Sequence, residues 1–308
     1  SGNKVRRENQ SYLFAAAAIL AWSTAASAFK LTLGRIDNGE LLLWSSLVSV
    51  AALGTIIVVT HRWKEFSQWR LGDVGKSLGL GALNPFLYYL ILFRAYELLP
   101  AQEAQPLNMV WPIVLVLLSV FILKQPLRWY SVIAMLTGFA GVMVISTRGD
   151  LLGFQLTDPA GVGFALGSSL IWALYWLFSA RDARDPINRL FANFVSGLLI
   201  ITLWMGLVGG IAIPSFKAAA GAVWIGLFEM GLAFVAWLYA LRLATNTAQV
   251  GSVIFITPFL SLVFISLVVG EQIYESTLPG LMLIVAGVLS QQLGDRYCSN
   301  PPKQRRPG

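Results

Sequence analysis

Long apolar runs, each about the length of a membrane crossing, alternate along the chain with short knots of polar and charged residues. An α-helix rises about 1.5 Å per residue, so about 20 residues cross the roughly 30 Å hydrocarbon layer of a bilayer. Ten runs approach that length, at 12–31, 41–60, 74–93, 104–123, 129–147, 160–180, 190–211, 218–241, 247–269 and 277–293. They predict ten transmembrane helices. Two starts carry capping chemistry: Asp158-Pro159 and Asp185-Pro186 each set an N-cap oxygen before a proline whose missing N–H is harmless at the first helical position.

Composition narrows the class. Of 308 residues, 56% are hydrophobic and 12% charged, and the mean hydropathy is +0.69. Soluble domains carry about 25% charged residues, so this chain cannot build a water-facing surface, which excludes a soluble enzyme. The fold class is an all-α polytopic membrane protein. The formal charge of +7 does not point to nucleic acid, because the basic residues lie in the knots beside the runs, where they set topology. One cysteine, Cys298, excludes disulfides within the chain and a cysteine-ligated zinc site, and one histidine, His61, excludes multi-histidine metal chemistry. No cofactor and no metal are expected. Ser1 to Gln10 is polar and the first apolar run is long enough to span, so no cleavable signal peptide is expected.

Counting Lys and Arg on alternate sides gives the orientation. With the N-terminus in the cytoplasm, 17 lie inside, among them Arg6, Arg7, Arg62, Lys64, Arg181 and Arg184, against 5 outside, Lys30, Arg35, Arg94, Arg148 and Lys217. The bias predicts both termini in the cytoplasm and an even number of spans. The basic tail Lys303, Arg305 and Arg306 is suited to anionic headgroups.

The two halves repeat. Pro112, Gln125 and Gly141 match Pro258, Glu271 and Gly287 at an offset of 146; Ala95 matches Ala240 and Asn84 matches Glu229 at 145; Trp22 matches Trp172 at 150. Five spans per unit is odd, so the second copy enters the membrane upside down. Inverted repeats of this kind mark transporters, with the site near the midplane where the units meet. The units are 12–147 and 158–294, with cytoplasmic tails 1–11 and 295–308.

Ten spans in two five-helix units, a Trp early in each unit, a mid-helix proline in each fourth helix and Gly270-Glu271 closing the ninth resemble the drug/metabolite transporter superfamily, and within it the EamA-type exporters. The first unit departs from the Gly-Glu pattern with Lys124-Gln125. The resemblance implies a bacterial inner-membrane exporter of amino acids or related metabolites, working without ATP and without a tightly bound cofactor.

Several residues carry candidate chemistry. Glu229 is deep in the eighth span, where an ionised carboxylate costs a few kcal/mol or more. It reads as a cavity carboxylate for a substrate ammonium or a proton, the alternative being a hydrogen-bonded structural glutamate. Asn84 is its neutral repeat mate. Pro112 and Pro258 remove backbone bonds within spans and free the carbonyls of Asn108 and Ile254, which suits a hinge, the alternative being an inert kink. Trp22, Tyr88, Tyr89, Trp111, Trp172, Tyr175, Trp176, Trp237 and Tyr239 fall mainly within spans rather than at the interfaces, and suit an apolar chamber for a flat, amphipathic substrate, the alternative for each being a lipid-facing or packing aromatic. Gly75-x-x-x-Gly79 and Gly163-x-x-x-Gly167 are expected to pack helices closely. Arg94, Glu97 and Glu103 form a solvated cluster or a gate near the ends of the third and fourth spans.

The leading expectation is export of aromatic and other neutral amino acids, such as Phe, Trp and Tyr, by alternating access. Efflux of cationic or amphipathic drugs uses the same features. A membrane-embedded enzyme is disfavoured, because no Ser-His pair, histidine cluster or paired carboxylates occupy the spans.

Overall fold

The computed structural model describes residues 2–153, 156–244, 250 and 253–299. The basic tail from Lys303 and the start of the ninth run at 247 lie outside the described residues. Among the described residues nine helices are long and apolar enough to cross a membrane: Val5–Leu33, Asn38–Val59, Leu71–Leu98, Ala101–Leu123, Trp129–Ser146, Pro159–Ser179, Pro186–Val208, Phe216–Leu243 and Thr277–Tyr297. A shorter apolar helix, Val253–Val269, lies between the last two. We refer to these ten as the first to tenth spans. Several run beyond the apolar stretch that predicts them, the third from Leu71 and the first from Val5, because hydropathy marks the hydrocarbon-embedded part while helical bonding continues past it. The carboxylates of Asp158 and Asp185 cap the sixth and seventh spans, accepting bonds from Gly161 N and from the amides of Ile187 and Asn188.

The bundle presents apolar side chains outward, as a lipid-facing protein must. On the seventh span Leu199, Leu203 and Leu207 follow one another at helical spacing with exposures of 59%, 70% and 88%. Polar atoms turn inward instead, with Ser45, Ser46 and Ser49 fully buried on the second span.

The inverted repeat is visible in the helices. The third and eighth spans are both 28 residues long, and their first and last residues are each 145 apart. Each is interrupted by a wide, π-helical turn, Ala82–Leu87 and Ile225–Glu229. The fourth and ninth spans both end on a left-handed residue, Lys124 at φ 53° and Gly270 at φ 80°, again 146 apart.

Contacts between the units map onto themselves when the units are exchanged. The fifth and tenth spans run antiparallel, and a Cβ on Gly141 would lie 2.6 Å from Gly280 O, while one on Gly287 would lie 2.7 Å from Ala134 O. Adding 146 to Gly141 and to Ala134 gives Gly287 and Gly280, the same pair seen from the other unit. Gly81 of the third span meets Gly197 of the seventh, and its mate Gly226 of the eighth meets Ser45 and Val48 of the second. Only hydrogen at these positions lets two backbones approach so closely.

The expected glycine pairs are not the ones that pack. Added Cβ atoms at Gly75, Gly79 and Gly163 would meet nothing within 4 Å, and one at Gly167 would meet only Ile91 at 3.8 Å. A small-residue motif makes a narrow stripe on one helix; which stripe meets a neighbour depends on how the helix is rotated in the bundle.

Candidate functional site

At the centre of the molecule the wide turn of the eighth span brings Glu229 against the first and third spans. In that turn the amide of Met230 bonds to Ile225 O five residues back, at 3.0 Å, which loosens the usual ladder and re-aims nearby groups. The indole of Trp22 donates to the main-chain oxygen of Glu229 at 3.2 Å. The hydroxyl of Tyr89, itself fully buried, donates to Oε1 of the carboxylate at 3.2 Å. Both donors come from the first unit, so Glu229 of the second is held across the junction, its carboxylate by Tyr89 and its main-chain oxygen by Trp22.

A continuous aromatic wall leads away from it. Tyr89 meets Tyr88 edge-on at 4.8 Å, and Tyr88 stacks on Trp172 at 4.5 Å and 30°. Trp172 stacks on Tyr175 at 5.5 Å and meets Trp176 edge-on at 6.1 Å, and Trp176 lies nearly parallel to Trp111 at 6.2 Å. Phe234 closes the ring, 5.8 Å from Trp172 and 5.3 Å from Trp22, which in turn contacts Trp237 at 5.8 Å. These separations fall in the range where ring quadrupoles favour offset or edge-to-face pairing.

Polar side chains line the wall. Tyr88 donates to Asn108 Oδ1 at 3.2 Å, and Asn108 Nδ2 donates to Ser168 Oγ at 2.9 Å. Asn193 Nδ2 donates to the Tyr175 hydroxyl at 3.4 Å. Among the described residues, both amide atoms of Asn84, Oδ1 of Asn193 and Nε1 of Trp176 are buried without a partner. Asn84 departs from helical geometry within its wide turn, at φ −141° and ψ 114°, and is wholly buried.

Of the twelve residues singled out from the sequence, ten form this connected set. Asn84 is buried in the wide turn of the third span, its amide bonded to none of the others. Tyr239 stands apart, stacked on Phe14 at 5.6 Å and beside Arg62, which pairs with Asp185 at 2.6 Å in the polar layer at one end of the bundle. Phe234, Ser168 and Asn193 belong to the wall and were missed. Ser168 lies four residues before Trp172, on the same helical face, a signal the sequence did carry. Phe234 has no polar handle to distinguish it from packing phenylalanines.

The two prolines interrupt their spans at matched places. The fourth span breaks at Met109 and Val110 between segments Ala101–Asn108 and Trp111–Leu123, with Pro112 in the first turn of the second segment. In the ninth, a tight turn over Val253–Ile256 precedes Thr257–Phe264, with Pro258 in its first turn. Each proline therefore opens a helical segment, where its lost N–H has no intrahelical partner to begin with.

The Arg94, Glu97 and Glu103 cluster separates. Arg94 and Glu97 pair with each other at 2.7 Å on the surface, whereas Glu103 turns inward, fully buried, and bonds Arg148 at 2.9 Å.

Known proteins share this architecture. A solved crystal structure that is 24% identical superposes with a TM-score of 0.66 over 95% of this chain and 99% of its own, which establishes the fold. The aromatic amino acid exporter YddG of Ancylobacter novellus is 30% identical over 165 residues, 52% of this chain and 55% of the exporter, so the match spans about half of each. A probable terminal-alkyne amino-acid exporter of Streptantibioticus cattleyicolor is 26% identical over 73% of this chain and 76% of its own. The uncharacterized inner membrane transporter YhbE of Escherichia coli is 24% identical over 92% and 91%. These relatives point to membrane transport rather than catalysis. The EamA-like transporter family matches residues 9–147 and 159–290, nearly the whole membrane-embedded part, and to that family the chain belongs.

Proposed function

We propose that the protein exports aromatic and other neutral amino acids across the bacterial inner membrane, by alternating access of a central site to the two faces. The observation that carries this reading is the Glu229 carboxylate, bonded by Tyr89, at the foot of the aromatic wall. A carboxylate offers a counter-charge for an α-ammonium, and the aromatic wall from Tyr88 to Trp22 offers apolar surroundings suited to a flat ring. The unpartnered amide of Asn84 adds a donor for a substrate carboxylate, and the free Oδ1 of Asn193 adds an acceptor for an ammonium or hydroxyl. The names of two relatives, exporters of aromatic and of terminal-alkyne amino acids, support the same substrate class.

Uptake of radiolabelled Phe, Trp and Thr into proteoliposomes, with and without a pH gradient, tests the proposal. Phe and Trp are expected to enter well above protein-free liposomes, with Thr slower. A carboxylate among ring faces also suits an aromatic cation. Transport of a cationic dye with none of the three amino acids would replace the amino acid reading with drug efflux.

Both termini are assigned to the cytoplasm, with units 12–147 and 158–294 and tails 1–11 and 295–308, on the strength of the basic-residue bias. Cysteines placed at Lys64 and at Lys217, after replacement of Cys298, should react with an impermeant reagent from opposite sides. Labelling of both from the periplasm would refute the orientation. Pro112 and Pro258 are assigned as hinges, dividing the fourth and ninth spans into segments that rock in turn. Pro112→Ala and Pro258→Ala are expected to slow transport severalfold without loss of folded protein. Wild-type rates in both, and in the double variant, would make the prolines passive.

A further inference from the structure

One end of the bundle carries a carboxylate that belongs to neither the aromatic wall nor its polar lining. The fourth span begins with Pro100 as N-cap, a residue with no side-chain oxygen to accept the first amides of the helix. Glu271, just past the end of the ninth span, supplies that cap from the other unit. Its Oε1 accepts from Ala101 N at 2.8 Å and its Oε2 from Gln102 N at 3.2 Å. Gln102 then locks the chain that follows, donating to Gln272 O at 2.8 Å and accepting from Tyr274 N at 2.7 Å and Thr277 Oγ1 at 2.9 Å. At the same end Lys30 Nζ donates to the carbonyls of Tyr96 and Leu99, each at 2.7 Å, tying the first span to the third. Arg148 bonds the buried Glu103 and lies 4.5 Å from the ring of Tyr274.

The matched position of the first unit carries no such carboxylate. Glu271 corresponds to Gln125, a neutral and exposed amide at the opposite end of the bundle. The residue before each is left-handed: Gly270 adopts that geometry freely, whereas in Lys124 the Cβ crowds the backbone. An anion at a helix N-terminus is favoured by the exposed amides and the helix dipole. Its charge-assisted bonds are also about twice as strong as those of a neutral amide.

We propose that Glu271 is a gating residue that latches this mouth shut, and that the mismatch between Glu271 and Gln125 sets the resting preference of the transporter for the state closed at the Glu271 end. The proposal rests on the alternating-access reading. In a symmetric pair of units the two facing states would be near-equal in energy. A charged latch at one end, with only an exposed amide at the matched position of the other, tilts that balance.

Pulsed electron resonance on spin labels tests it without substrate turnover. In protein with Cys298 replaced, one label pair at Leu98 and Gln272 reports the Glu271 mouth, and a second at Leu127 and Ala183 reports the other. The parent should show mainly the short distance at the first pair. Glu271→Gln should raise the ratio of long to short distances there roughly tenfold. Gln125→Glu should raise it too, although the substitution is at the far end of the molecule. A latch that only held local structure would not respond to Gln125→Glu. An unchanged ratio at the Glu271 mouth in either variant, with thermal stability retained, overturns the proposal. If saturating Phe never moves the two label pairs in opposite senses in the parent, alternating access itself fails, an outcome distinct from an unresponsive latch variant.

Discussion

Glu229→Gln is expected to lower transport of Phe and Trp by about ten- to hundredfold, with expression and thermal stability close to the parent. The substitution keeps the size of the side chain and leaves an oxygen to accept from Tyr89, so the wide turn over Ile225–Glu229 and its contact with Trp22 have no reason to change. What it removes is the negative charge. A hydrogen bond to a charged group contributes about 1.5–3 kcal/mol, and about 1.4 kcal/mol is a factor of ten in binding. Tyr89→Phe, which takes away only the hydroxyl donor, should have a smaller effect. The same pair of variants separates two uses of the carboxylate. If it carries a coupled proton as well as an ammonium, Glu229→Gln also flattens the pH dependence of transport, because the amide does not titrate. Parent-like rates across pH in Glu229→Gln would return this residue to a structural role between the first, third and eighth spans.

Trp172→Ala carries the second large effect, and it is a selective one. Trp172 is the hub of the wall, in ring contact with Tyr88, Tyr175, Trp176 and Phe234. Removing it takes away the ring face that a substrate would share with Tyr88 and leaves a void, and burying less of so large a side chain typically costs about 3–5 kcal/mol. Transport of Phe and Trp should fall more than tenfold relative to Thr, whose side chain has no ring to lose. Trp172→Phe should recover much of the stability and part of the aromatic preference, which distinguishes loss of the wall from loss of the fold. Equal reductions for Phe, Trp and Thr, with stability restored in Trp172→Phe, would place the substrate ring elsewhere.

The sequence by itself determined that this is a membrane protein, how many times the chain approaches the bilayer and that two units repeat. Those features follow from solvent: in hydrocarbon only apolar, internally hydrogen-bonded helices are stable, so the length and spacing of apolar runs are written directly in composition. Matched residues such as Asn84 and Glu229 were also legible, because a repeat preserves position along the chain even where the side chain has changed. The tertiary structure alone decided the rotation of each helix about its axis and the partner each face meets. Hydropathy gives no such angle in a bundle whose interior and surroundings are both apolar. For that reason the spacing of Gly75 and Gly163 points to close packing, while Gly81, Gly141, Gly226, Gly280 and Gly287 make the close approaches. For the same reason depth along the chain places Tyr239 with residues it does not touch and does not single out Phe234 or Asn193. The bonds from Glu271 to the amides of Ala101 and Gln102 join groups about 170 residues apart in the chain. No periodicity connects them, and only packing of the fourth span against the end of the ninth brings a carboxylate to an uncapped helix.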